Sequence, residues 1–211
     1  MDVSFFLRGL ILGFVIAAPV GPIGVLCIRR TLALGRIHGL VSGLGAASAD
    51  ACYGAIAAFG LTIVSQLLLG QQFWLQLIGG CFLCFLGMRT WRSAVAKHQP
   101  QGMRQTGQII GSYLSTFFLT LTNPMTILSF ISIFAGMGIP AGNPAAAMLL
   151  VIGVFCGSAL WWLLLSVCVG YFREKMDTTR LGWINRFSAL IILAFGLTAL
   201  YKVLIKISEL Y

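Results

Sequence analysis

The sequence predicts an all-α polytopic membrane protein: six transmembrane helices arranged as two inverted three-helix repeats, with helices 1 and 4 broken. Three observations carry that expectation. Hydrophobic residues make up 59% of the 211 residues and charged residues only 9%, where a soluble globular domain carries roughly 25% charged. The gaps between apolar runs are alternately rich in Lys and Arg and empty of them. A proline-centred break, Pro19-Val20-Gly21-Pro22, has a counterpart in Thr122-Asn123-Pro124.

Taken in order, the apolar runs predict helices at about 3–28, 38–65, 73–90, 109–135, 145–172 and 187–206. The first opens with Arg8 and passes Ala17-Ala18, a pattern loosely like a cleavable leader. The run continues through the Pro/Gly stretch to Arg29-Arg30, as a full crossing with a basic stop would. The second is rich in small residues (Gly43, Gly45, Ala46, Ala47, Ser48, Ala49) and carries Asp50. The third contains Cys81 and Cys84. The fourth holds Asn123 and Pro124, the fifth Trp161-Trp162, and the sixth ends near Lys202 and Lys206.

Orientation follows from the basic residues. Arg29, Arg30 and Arg36 follow the first run; Arg89, Arg92, Lys97 and Arg104 follow the third; Arg173, Lys175, Arg180 and Arg186 follow the fifth. The stretches 66–72 and 136–144 contain neither Lys nor Arg. Basic connections face the cytoplasm, so both termini are expected outside. Residues 1–98 then form the first repeat, 99–108 a cytoplasmic connection, and 109–211 the second repeat. With three crossings per half, the second half lies upside down relative to the first. Ala47-Ser48-Ala49 aligns with Gly157-Ser158-Ala159, and the stretch from Gly80 to Gly87 with that from Ala189 to Gly196.

The net charge of +9 is distributed as topology signals between apolar runs, so no nucleic-acid partner is expected. The six cysteines lie within or beside apolar segments, where a thiol behaves as a small hydrophobe. Cys81 and Cys84 share a helix face, and no basic neighbour activates them. His38 and His98 lack the spaced ligands of a metal site. No phosphate loop, nucleophile elbow or zinc-protease motif is present, so no ATP-driven or hydrolytic chemistry and no cofactor is expected.

Proline removes a backbone donor, and a broken helix in hydrocarbon frees groups that only protein or a watery cavity can satisfy. One such proline is most simply a kink in a packed helix. Two at equivalent positions favour a binding site, where half-helix ends offer amides to a carboxylate and carbonyls to a cation. Asp50 lies about twelve residues into its helix, roughly 18 Å along the axis at 1.5 Å per residue, near the midplane. An intramembrane acid is a functional candidate unless it is a protonated structural group. Asn123 supplies a donor and an acceptor beside Pro124, as a ligand or as a local cap. The candidate substrate-binding residues are thus Gly21, Pro22, Asp50, Asn123 and Pro124.

Pro19-Val20-Gly21-Pro22-Ile23-Gly24, the following Cys27-Ile28-Arg29-Arg30-Thr31-Leu32, the Gly-rich helix leading to Asp50, and Thr122-Asn123-Pro124 together resemble the lysine exporter and homoserine/threonine resistance family of bacterial translocators. The resemblance implies a secondary transporter in the inner membrane, not an enzyme, exporting amino acids in exchange for protons. The family's first-helix pattern is usually closer to Pro-Gly-Pro, and it often has Lys where this chain has Met125. Efflux of a metal or organic cation is a rival, short of ligands here. Electron transfer through Cys81 and Cys84 is a rival of a different class. Close contacts at Gly79, Gly80 and Gly87 serve either a homodimer or packing within one chain.

Overall fold

The structure is a computed structural model that describes residues 3–19, 21–59, 71–92, 104–123, 126–130, 144–173 and 178–208. Among them all regular structure is helical: α1 (Val3–Ala17), α2 (Pro22–Leu34), α3 (Arg36–Ala58), α4 (Gln72–Arg92), α5 (Arg104–Leu121), α6 (Pro144–Arg173) and α7 (Thr178–Ser208). Residues 126–130 are again helical. Four described helices are long and apolar enough to cross a membrane, at Arg36–Ala58, Phe73–Arg92, Pro144–Phe172 and Gly182–Ile205. The pair α1 and α2, bent by 81° at its break, makes five if it counts as one span. The fourth expected crossing is described only as α5 and residues 126–130. The Lys/Arg-free stretch 136–144 lies outside the described residues except for Pro144.

The helices are built inside out compared with those of a water-soluble bundle. In α1 the buried positions are Gly9, Gly13 and Ala17, four residues apart on one face. Leu7, Ile11 and Val15 are more than half exposed on another. Lipid tails are as apolar as leucine, so large side chains gain little by turning inward, and small ones let backbones approach. That is how α1 meets α6. A methyl added at Gly9 would collide with the Leu150 carbonyl, and at Gly13 with that of Val154. On the facing helix, Gly153 meets the Phe6 carbonyl and Gly157 that of Leu10. Two small-xxx-small pairs therefore interlock across one crossing.

The same device recurs. Gly45 brings α3 against the Tyr113 carbonyl of α5, and Gly43 admits Trp162 of α6. The α4–α7 contact is made at Gly87 against Leu193 and at Gly196 against Cys84. Gly80 faces Leu200, and Gly79 faces Thr122. The small residues that suggested close helix contacts thus face partners in their own chain. In sum, α3 lies between α5 and α6, α1 lies on α6, α4 on α7, and α2 touches α3, α6 and α7.

One expectation is corrected. The sequence placed Arg29 and Arg30 in a solvated connection between helices ending at 28 and starting at 38. The structure has no connection there: Pro22 opens α2 at a position where its missing amide costs nothing, and the helix runs on to Leu34. It stops at Gly35, whose φ of 107° suits glycine. Its N–H caps the Thr31 carbonyl, and α3 begins at the next residue.

Crowding at the α1–α6 crossing predicts that Gly157→Ala lowers unfolding stability by about 1–3 kcal/mol, the usual cost of overpacking. Gly111→Ala, where a methyl meets nothing within 4 Å, should be neutral or stabilise by about 0.5–1 kcal/mol through helix propensity. Denaturant titration in detergent measures both. Equal midpoints for Gly157→Ala and wild type would rule out the close crossing.

Candidate functional site

Two chain breaks frame the site. At the first, α1 ends with Ala18 N–H donating to the Phe14 carbonyl (3.0 Å), and Gly21 N–H donates to the Pro19 carbonyl (2.9 Å). The Gly21 carbonyl accepts from Val25 N–H (3.0 Å), so Gly21 caps α2, with Pro22 next in line. The direction a side chain would take from Gly21 is open: apart from its chain neighbours, no atom of the described residues lies within 4 Å of it. At the second break, Asn123 N–H donates to the Thr120 carbonyl (3.1 Å) and the Asn123 carbonyl accepts from Ile127 N–H (3.2 Å). Gly21 and Asn123 thus do the same backbone job, each immediately before a proline. The Asn123 side-chain amide donates to Thr126 Oγ1 (3.0 Å), the local-cap arrangement. Pro124 and Met125 lie outside the described residues.

Asp50 is 3% exposed on α3. The Ser158 hydroxyl of α6 donates to its Oδ2 at 2.7 Å, and Trp162 Nε1 donates to Ser158 Oγ at 3.2 Å. Ser158 and Trp162 are one helical turn apart, so one face of α6 supplies the whole relay. Gly43, two turns before Asp50, gives Trp162 its room. The hydrogen bond of Asp50 goes to Ser158 and not to Gly21 or Asn123. On the α5 side, the Tyr113 hydroxyl donates to Ser48 Oγ at 2.7 Å.

The surroundings nevertheless tie Asp50 to both breaks. On one side lies an apolar cluster that includes Ala46, Ala47 and Trp162 with Ala17 and Ile23, which flank the first break. On the other lies a cluster of Tyr53, Leu150, Val154, Ile127 and Phe130, with Leu121 packed on it, around the second break. The Tyr53 hydroxyl, on the same face of α3 as Asp50, donates to the Leu121 carbonyl at the end of α5. A carbonyl freed by the break is thereby satisfied.

A buried cation was missed by the sequence reading. Arg30, 7% exposed, donates through Nη1 to Ser42 Oγ (2.9 Å), the Ser112 carbonyl (2.8 Å) and Thr116 Oγ1 (2.7 Å), and through Nη2 to Ser115 Oγ (2.7 Å). Its neighbour Arg29 donates to Asn185 Oδ1 of α7 (2.7 Å), and Asn185 donates to the Thr90 carbonyl of α4 (2.8 Å). The signal was present in α5: Ser112, Ser115 and Thr116 put three hydroxyls on one face at i, i+3 and i+4.

The remaining candidates are peripheral. Cys81 is exposed and Cys84 half-buried, both as free thiols on α4. Trp161 meets Phe14 edge-on at 5.3 Å. Among the described residues no three His, Cys, Asp or Glu side chains come together as a metal site.

Comparison with known proteins finds matches over most of the chain. The pattern described as LysE type translocator matches residues 14–203. The "Putative amino acid efflux protein YcgF" of Bacillus subtilis (strain 168) is 26% identical over 198 residues, covering 92% of this chain and 93% of its own. The "Uncharacterized membrane protein YahN" of Escherichia coli (strain K12) is 30% identical over 185 residues, covering 83% of this chain and 79% of its own. No solved structure matches.

The Ser158–Asp50 bond predicts coupling. In a double-mutant cycle of Ser158→Ala and Asp50→Asn, the interaction energy should be roughly 0.6–1.7 kcal/mol, from the mean to the maximum found for hydrogen bonds between membrane helices. Strict additivity of the two unfolding free energies would show that the groups are not bonded.

Proposed function

The chain belongs to the LysE type translocators, a membrane transporter and not an enzyme, and from that premise we propose that it exports amino acids across the bacterial inner membrane in exchange for protons. The observation that carries the reading is the position of Asp50. This carboxyl group is buried between two apolar clusters, each containing residues that flank one of the two helix breaks.

A lone carboxylate in hydrocarbon costs several kcal/mol unless it is protonated, paired or wetted. Such a group has two useful states. As a carboxylate it attracts the ammonium group of an amino acid arriving from the cytoplasm. A proton entering from outside neutralises it and removes the ammonium's partner, which releases the solute outward. The empty, protonated site then returns and gives its proton to the cytoplasm. In this reading Gly21 and Asn123 complete the site with backbone carbonyls, each of which accepts one helical bond and keeps a second lone pair for an ammonium group, and Pro22 and Pro124 follow them at the half-helix ends. The open space in the side-chain direction of Gly21, among the described residues and apart from its chain neighbours, is consistent with a ligand approaching that backbone.

The second element of the proposal is the inverted repeat, with halves at 1–98 and 109–211, a cytoplasmic connection at 99–108, and both termini periplasmic. Exchange of the two halves would carry the α1–α6 contact onto the α5–α3 contact. Both are extensive, and the α3–α6 and α4–α7 contacts map onto themselves. The shared capping role of Gly21 and Asn123 supports the same exchange. Alternating access then needs one half to rock against the other around Asp50. The unit we propose is one chain in lipid, with amino acid and proton as its partners.

Proteoliposomes loaded with a panel of amino acids test this directly, with an acid-outside gradient imposed or absent. Wild type should release one or a few amino acids in a gradient-dependent way. Asp50→Asn should fall to the protein-free rate while it stays monodisperse. Gradient-driven efflux that survives in Asp50→Asn would sink the role of Asp50. Release of no amino acid by folded wild type would sink the exporter reading.

A further inference from the structure

Several hydroxyl groups on these helices turn back onto their own backbone. Ser42, Ser48, Ser112 and Thr120 each donate to the carbonyl four residues earlier, at 2.7–2.9 Å. Ser158 departs from that habit: its proton leaves α6 and goes to Asp50 Oδ2 on α3 at 2.7 Å. Trp162, one turn further on, donates its indole N–H to the same Ser158 oxygen at 3.2 Å. An indole only donates, so Trp162 occupies a lone pair of Ser158 and leaves that hydroxyl its one proton to give. The chain from Trp162 through Ser158 to Asp50 therefore runs in one direction, each donor polarised by the one before it. All three side chains are buried.

That direction makes the two carboxylate oxygens unequal. Ser158 holds Oδ2, whereas among the described residues Oδ1 has no hydrogen-bond partner and no cation pairs with the group. The ionisable side chains on the helices packed against α3 are engaged elsewhere: Arg30 of α2 with Ser42 and Thr116, Tyr113 of α5 with Ser48, and Arg8 of α1 over the Phe5 ring. On α3 itself Tyr53 gives its proton to the Leu121 carbonyl, and Cys27 of α2 and Cys156 of α6 are free thiols. A proton added to Oδ2 would point at Ser158. It would turn that hydroxyl from donor to acceptor while Trp162 already donates to it, and would displace the hydroxyl's own proton. A proton added to Oδ1 disturbs nothing, because Oδ2 becomes the carbonyl oxygen and goes on accepting from Ser158.

We propose that Ser158 and Trp162 are positioning residues that hold Oδ2 of Asp50 and leave Oδ1 as the single atom at which a proton and the ammonium group of the solute compete. The inference rests on the exporter reading for the identity of that ammonium group. When a proton arrives from outside, the O–H bond forms at Oδ1, and the ammonium group loses its acceptor and leaves with its own protons. One oxygen does not hold both, so exchange is one for one. Without the Ser158 hydroxyl, the proton can lie on Oδ2 while the ammonium group still contacts Oδ1, and a doubly loaded site dissipates the gradient.

Proteoliposomes holding a pH difference, acid outside, with the electrical potential clamped at zero, are followed until the distribution of an amino acid released by wild type stops changing. One-for-one exchange sustains about a tenfold solute gradient for each pH unit. Ser158→Ala should stop below about threefold for each unit on that scale. Ser158→Thr, which restores the hydroxyl, should return close to the wild-type plateau, and Trp162→Phe, which keeps a ring and removes the N–H, should fall between. A merely damaged carrier reaches the wild-type plateau late, whereas a slipping one stops short of it. Ser158→Ala at the wild-type plateau, or Ser158→Thr no better than Ser158→Ala, overturns the proposal. Infrared difference spectra between acid and alkaline media give a readout that needs no transport. The C=O stretch of protonated Asp50, identified by its loss in Asp50→Asn, should move to higher wavenumber in Ser158→Ala as the carbonyl loses its donor. An unmoved band overturns the proposal. A moved band with no amino-acid efflux from wild type would sink the exporter reading, and the competition with it, and leave the hold of Ser158 on Oδ2 standing.

Discussion

Hydrocarbon donates and accepts no hydrogen bonds, so every backbone group set free inside the membrane must be answered by the protein itself. The two helix breaks make that constraint acute, and the rest of the architecture answers it. At the first, Gly21 turns the chain and offers its carbonyl to Val25. At the second, Asn123 repeats the arrangement with Ile127, while Tyr53 reaches across from α3 to the Leu121 carbonyl. Tyr53 and Asp50 are three residues apart and share a helix face. One stripe of α3 thus stabilises a broken segment and carries the acid beside it.

Such an arrangement depends on short distances between backbones, which the small residues permit. A 2.7 Å bond from Ser158 to Asp50 requires α3 and α6 to approach as closely as a short side chain allows. Gly43 makes space for Trp162, whose ring nitrogen orients the Ser158 hydroxyl. The crossing of α1 on α6 through four glycines fixes α6 from its other side. Large apolar residues are displaced outward to lipid, where Leu7, Ile11, Val15, Leu163 and Leu164 stand exposed. Polar chemistry inside and bulk outside are two results of the same packing rule.

Much of this was legible in the sequence. Composition gave the membrane class, the prolines gave the break before α2, and the isolation of Asp50 among small residues marked it before any coordinate. Ser158 was aligned with Ser48 but not with the acid it binds, because a hydropathy reading gives helices without their contacts. The motifs of Gly9 and Gly13 and of Gly153 and Gly157 announce close packing, yet nothing in them names the partner helix. Arg30 was misread for a definite reason. An arginine beside an apolar run is read as the end of that run, whereas α2 continues past it because α5 supplies hydroxyls more than eighty residues later in the chain. Long-range polar satisfaction of this kind leaves only a faint pattern in the helix that provides it.

Gly35 has a mechanical consequence. It is the sole residue between α2 and α3, so its φ and ψ are the soft torsions joining two otherwise stiff rods. Any tilt of α2 about the first break is levered through this fulcrum into α3. Arg30, clasping Ser42 two turns beyond the fulcrum, acts as a brace that shortens the free arm. Gly35 in the chain and the Arg30–Ser42 bond through space are thus two of the links that couple the helix after the first break to the helix that carries Asp50.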